Sequence, residues 1–69
     1  MQEFKLEGHD HIKLCDLLAK LGWCENAGVA KHIIDSGVVT VNGQIELRKR
    51  AKIISGQTVE YANKKVQVR

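Results

Sequence analysis

A chain of 69 residues with 11 Lys and Arg, 8 Asp and Glu, a net charge of +3 and no proline suffices for one small domain, expected over residues 1–69. At this size only about 60% of the unfolded surface is buried on folding, which disfavours an enzyme with a deep cleft and favours a binding module without cofactor, metal or small-molecule substrate. No run of about 18 apolar residues is present to span a membrane, Met1 to Asp10 lacks the apolar core of a signal peptide, and the two cysteines are expected to stay reduced in a cytoplasmic setting.

Phe4-Lys5-Leu6 alternates apolar and polar, as a short edge strand does, and Gly8 ends it. Asp10 is placed to cap a helix running from His11 or Ile12 to Leu21. At about 100° per residue, Leu14, Leu17, Leu18 and Leu21 cover one side of that helix. Lys13, Asp16 and Lys20 gather on another side, and Gly22 closes the helix. A connector from Trp23 to Gly28 contains Asn26, the best cap for a second helix over about Ala27 to Ser36. On this helix Val29, Ala30, Ile33 and Ile34 face inward, whereas Lys31, His32 and Asp35 face outward.

Gly37 follows the second helix, where a left-handed closing conformation suits a residue without a Cβ. Val38-Val39-Thr40-Val41 favours a strand, and Asn42-Gly43 is a strong signal for a two-residue hairpin turn. Gln44-Ile45-Glu46-Leu47 then alternates and pairs back on the strand before it. Arg48-Lys49-Arg50-Ala51-Lys52 is a basic run, read as a strand. Ile53-Ile54, a Ser55-Gly56-Gln57 turn and Thr58-Val59-Glu60-Tyr61 add another strand. Asn63 and Lys64 make a second turn, and Val66 and Val68 mark a final short strand. The resulting class is α+β, with two short helices packed on a small, mostly antiparallel sheet.

Charge is unevenly spread along this order. Residues 1–46 hold four lysines against seven acids, a net −3, and residues 47–69 hold seven cations against Glu60 alone, a net +6. A positive field so concentrated on a small domain points to a polyanion, nucleic acid first and an acidic membrane surface second.

Ala19-Lys20-Leu21-Gly22, then Ala30-Lys31-His32-Ile33-Ile34-Asp35-Ser36-Gly37, then Val39-Thr40-Val41-Asn42-Gly43 together resemble the alpha-L RNA-binding motif, the module named after the fourth small-subunit ribosomal protein. The likeness extends through Arg48-Lys49-Arg50, Lys52 and Gly56-Gln57-Thr58-Val59, and covers about Ile12 to Tyr61. The opening Phe4-Lys5-Leu6 further resembles the small free-standing bacterial members. The resemblance implies RNA contacts from Lys13 and Lys20 on the first helix, Lys31 on the second, Asn42 and Gly43 at the hairpin loop, and Arg48, Lys49, Arg50 and Lys52 on a basic strand. Many members open the second helix with Ser-Arg-Arg, and here that site reads Asn26-Ala27-Gly28. Two phosphate contacts of the family are missing there, although a helix N-terminus beside a small residue can receive a phosphate through its backbone N–H groups. Asn26, Gly28 and His32 therefore stand as further RNA-binding candidates.

Each feature also has a plainer reading. The basic run can be a solvated charged strand; it becomes one patch with Lys13, Lys20 and Lys31 only if the fold sets their helices beside it. His9, His11, Cys15, Cys24 and His32 fit no zinc spacing, having neither a C-x-x-C pair nor two histidines four apart. Cys15 reads as a small hydrophobe. Trp23 reads as a helix-end residue over the core rather than a base-stacking platform, and His32 as either a phosphate contact or part of a solvated face. The function expected is a cytoplasmic, monomeric, non-enzymatic module that grips structured RNA, with ribosomal RNA the natural target from the family. The alternative is a ribosome-associated adaptor whose basic strand meets an acidic protein surface. A DNA-reading role for the two helices is weaker, because Lys31 is the second helix's only strong donor for a base edge.

Overall fold

In the computed structural model, which describes residues 2–69, strand β1 is formed by Gln2–Phe4 and a two-residue strand, β2, by Ile12–Lys13. The first residue of the expected 1–69 domain lies outside the described residues. Helix α1 (Leu14–Lys20) and helix α2 (Ala27–Asp35) come next. Five strands follow: β3 (Thr40–Val41), β4 (Gln44–Ile45), β5 (Lys52–Ile53), β6 (Thr58–Tyr61) and β7 (Lys64–Val68). One sheet runs in the order β1-β7-β6-β3-β4, with β1 parallel to β7 and the other pairs antiparallel. β2 and β5 form a separate antiparallel ribbon. The α+β class, with two short helices on a mostly antiparallel sheet, is therefore the observed one.

The two helices pack on each other, and their apolar sides share one core with the sheet. Leu14, Leu17 and Leu18 of α1 and Ala30 and Ile34 of α2 are fully buried, as are Val39, Val59, Val66 and Val68. Trp23 joins this core at 9% exposure, which settles it as a packing residue. Asn26 caps α2 as expected, its Oδ1 accepting from the Val29 N–H at 3.0 Å. The Asn42-Gly43 turn has φ of 51° and 83° at its two central residues. Both values are positive, as the tight turn favoured by a twisted hairpin requires.

The structure departs from the sequence reading in several places. Val29, read as facing inward, is exposed on α2, and the hairpin strands are only Thr40–Val41 and Gln44–Ile45, with Val38 and Leu47 exposed beside them. β1 ends at Phe4, and Leu6 is buried beyond it, its N–H donating to the Arg69 carbonyl at 2.8 Å. Asp10 caps nothing: α1 starts only at Leu14, and its N-cap residue Lys13 offers no side-chain cap. His11 and Ile12 are drawn out of the helix because Ile12 and Lys13 pair with Ile53 and Lys52. Of the basic run only Lys52 lies in a strand, while Arg48 to Ala51 forms a turn in which the Ala51 N–H donates to the Arg48 carbonyl at 3.2 Å. Finally, the β6–β7 turn falls at Ala62-Asn63, with φ of 51° and 64°. β7 is thereby longer than Val66 and Val68 alone announce.

Candidate nucleic-acid interface

The basic turn owes its position to α1. A helix leaves its first N–H groups without intrahelical partners, and in α1 two of these are satisfied across the fold. Leu14 N–H donates to the Ala51 carbonyl at 2.9 Å and Cys15 N–H to the Lys49 carbonyl at 3.1 Å. A third tie comes from α2, where Asp35 Oδ2 meets Lys49 Nζ at 3.1 Å. Residues 48–51 are thus held against the start of α1 and the end of α2.

Immediately beyond the turn, Lys52 of β5 stands directly opposite Lys13 of β2. Such cross-strand partners have Cβ atoms about 4.5–5.5 Å apart, and like charges so placed repel. Both lysines are exposed, and neither forms an ion pair among the described residues. An anion on the ridge that Lys13 and Lys52 form would relieve the repulsion, and Arg50, two positions before Lys52, is a third exposed cation without an ion pair among the described residues.

The other predicted cations divide differently. Arg48 is committed to Glu46, whose carboxylate accepts from Arg48 Nε at 3.0 Å, from Nη2 at 3.2 Å and from the Arg48 backbone N–H at 3.0 Å. The side-chain hydrogen bond from Arg48 holds the Glu46 carboxyl below its usual range, and Glu46 raises Arg48 in return. Lys49 is occupied by Asp35. Lys31 is half-buried on α2, one turn before Asp35, so an acid lies between it and the basic turn. His32 is exposed on the outer side of α2. Gly28 is exposed too, and a Cβ there would meet Asn26 Oδ1 at 3.1 Å, crowding the cap.

Asn42 and Gly43 sit at the tip of the β3–β4 hairpin, on the larger sheet and not on the β2–β5 ribbon. Asn42 is bonded twice to Thr58: its N–H donates to the Thr58 carbonyl at 2.7 Å and its Oδ1 accepts the Thr58 N–H at 2.9 Å. Lys13 and Lys20 are brought together, but in a groove beside α1 of about 630 Å³ whose walls also carry Lys5, His9, His11 and Phe4. Sequence reasoning left those four out of the site. The only hint was that the two histidines lie shortly before the helix bearing Lys20. Cys15 is buried, Cys24 half-buried and both are free, and among the described residues no three His, Cys, Asp or Glu side chains cluster as metal ligands. Neither helix is long and apolar enough to cross a membrane.

With this geometry in view, comparison with known proteins is specific. The S4 domain family matches residues 4–69. YbcJ of Escherichia coli K12 and YbcJ of Shigella flexneri are each 50% identical over 68 residues, spanning 99% of this chain and 97% of theirs. The solution structure of YbcJ from E. coli, described as revealing an alpha-L motif involved in RNA-binding, aligns with a TM-score of 0.75 at 50% identity. That alignment covers 99% of this chain and 86% of the other.

Proposed function

We propose, since this chain belongs to the S4 domain family, that it is a non-enzymatic, monomeric, cytoplasmic RNA-binding module that grips structured RNA, ribosomal RNA being the first target to try. The observation that carries this reading is the facing of Lys13 and Lys52 across the β2–β5 ribbon, with Arg50 beside them and no acid paired to any of the three among the described residues. Phosphate contacts supply most of the affinity of such a surface and make it fall steeply with salt. Shape, rather than base edges, is what a protein reads on an A-form helix. Lys20 and Lys31 would add charge from the helices, Asn42 and Gly43 a close backbone approach, and Arg48 and Lys49 would contribute once released from Glu46 and Asp35. Asn26 engages its side chain in the α2 cap, so its part in binding would be to keep the helix N-terminus formed beside Gly28.

The test is Lys13→Glu, read by fluorescence anisotropy with a labelled hairpin RNA at two salt concentrations and by thermal unfolding. The substitution replaces a repelling cross-strand pair by an attracting one, so the melting temperature should hold or rise. RNA affinity should nonetheless fall by about tenfold or more, and the salt slope should flatten by one to two phosphate contacts, at roughly 0.7–0.9 per contact. Unchanged hairpin binding in this variant would refute the ridge as the RNA surface. Equal binding of duplex DNA would reduce the reading to general polyanion attraction.

A further inference from the structure

Beside α1, the segment from Phe4 to Ile12 folds back into a wall that the RNA-grip reading leaves unused. Its shape is set by the backbone. Arg69 N–H donates to the Phe4 carbonyl and Leu6 N–H to the Arg69 carbonyl, both at 2.8 Å. Glu7 and Gly8 then turn through φ of 54° and 91°, and His9 N–H closes on the Leu6 carbonyl at 3.2 Å. Between this wall and α1 lies the groove of about 630 Å³, within the range of about 300–1,000 Å³ typical of small-ligand sites. Lys5, Lys13 and Lys20 line it, and none is ion-paired among the described residues. His9 and His11 add imidazole nitrogens, and half-buried Phe4 and Ile12 give an apolar wall. Glu7 and Asp16 are the acids present, so three lysines outweigh them.

The geometry points to a nucleotide subsite: this groove receives one unpaired nucleotide of the bound RNA, its phosphate among Lys5, Lys13 and Lys20 and its base against Phe4 and Ile12. Two features select that occupant. A ligand that is anionic at one end and flat and apolar at the other matches a pocket lined by three lysines together with a phenyl ring, and unstacked bases are the part of an RNA that aromatic side chains receive. Lys13 also belongs to both places, lining the groove while facing Lys52 on the ridge. A strand leaving a helix held on the ridge is therefore led into the groove. The inference rests on the RNA-binding reading and adds to it a preference for a duplex next to a single-stranded nucleotide.

Two measurements test it separately from that reading. The first compares a blunt hairpin RNA with the same hairpin carrying a three-nucleotide tail. The wild-type chain should bind the tailed form about tenfold more tightly, the effect of one stacked, phosphate-bound nucleotide. Lys5→Glu should erase that preference, whereas Lys64→Glu, the same charge change outside the groove, should keep it. The second titrates the ¹⁵N-labelled protein with adenosine monophosphate and, separately, with inorganic phosphate. The nucleotide should shift the amides of Lys5, Leu6, His9 and Lys20 more than phosphate alone. Groove shifts without binding of either hairpin would sink the RNA reading and, with it, the assignment of the groove to a nucleotide of bound RNA. Hairpin binding without a tail preference, or equal shifts from phosphate and nucleotide, would overturn the subsite.

Discussion

Glu46 decides whether Arg48 is available to a ligand. Its carboxylate holds both the guanidinium and the backbone N–H of Arg48, so the first residue of the basic turn is neutralised by a neighbour two positions away. Because the folded pKa of Glu46 is lowered from 4.5, the pair's contribution to stability is complete above that value. It fades as pH falls through the lower folded value and Glu46 takes up a proton. Arg48 is raised from 12.5, so its own protonation holds throughout the working range. A carboxyl-detected NMR titration should place the Glu46 midpoint below 4.5, the value from which the contact with Arg48 lowers it. Glu46→Gln should free Arg48, steepen the salt slope of hairpin binding by about one contact and tighten binding severalfold at low salt. An unaltered slope would mean that Arg48 faces away from the RNA.

Local chemistry explains which elements were readable beforehand. The Asn26 cap, the Gly37 stop and the Asn42-Gly43 turn each need only a few neighbouring residues, and each is where the sequence pointed. β2 was unreadable for the opposite reason. Ile12 continues the apolar spacing of α1, and only pairing with Ile53, 41 positions later, pulls it into a ribbon. The basic turn failed in the same way, since its conformation is set by the N–H groups of Leu14 and Cys15. The groove needed the Phe4–His11 segment to fold back onto α1, which no local pattern encodes. Within the hairpin, Asn42 has a job that residue type alone does not disclose: its two bonds to Thr58 fasten the β3–β4 turn to the start of β6. Asn42→Ala removes the side-chain bond and forces a residue with a Cβ and no polar group into φ of 51°. It should cost about 1–3 kcal/mol, lowering the melting temperature by roughly 4–8 °C per kcal/mol. Asn42→Gly keeps the turn conformation and should cost less, and an equal loss in both variants would assign the whole effect to the hydrogen bond.

Across the whole molecule, folding redistributes the charge that the sequence divides so unevenly. Four cations of the last 23 residues are paired: Arg48 to Glu46, Lys49 to Asp35, Lys65 to Glu60 and Arg69 to Glu3. Of the cations without an ion pair among the described residues, Lys64 stands on β7, while Lys13, Lys20 and Lys52 lie on β2, α1 and β5, so the ridge and groove depend on α1 being held in place. That holding is apolar. Leu17 is fully buried in the core shared by both helices and the sheet. A domain of 69 residues at about 0.05–0.15 kcal/mol per residue has some 3–10 kcal/mol to lose. Replacing a buried leucine by alanine removes about 2–5 kcal/mol of that. Leu17→Ala should therefore lower the melting temperature by more than about 10 °C and weaken RNA binding with it, although Leu17 touches no ligand. The two losses should also part company on cooling. At a temperature where circular dichroism shows the variant folded, hairpin affinity should recover to within about twofold of wild type, because the ridge residues are intact and only the folded fraction had changed. Persistent weak binding by a fully folded Leu17→Ala chain would show instead that the cavity moves α1 relative to the basic turn.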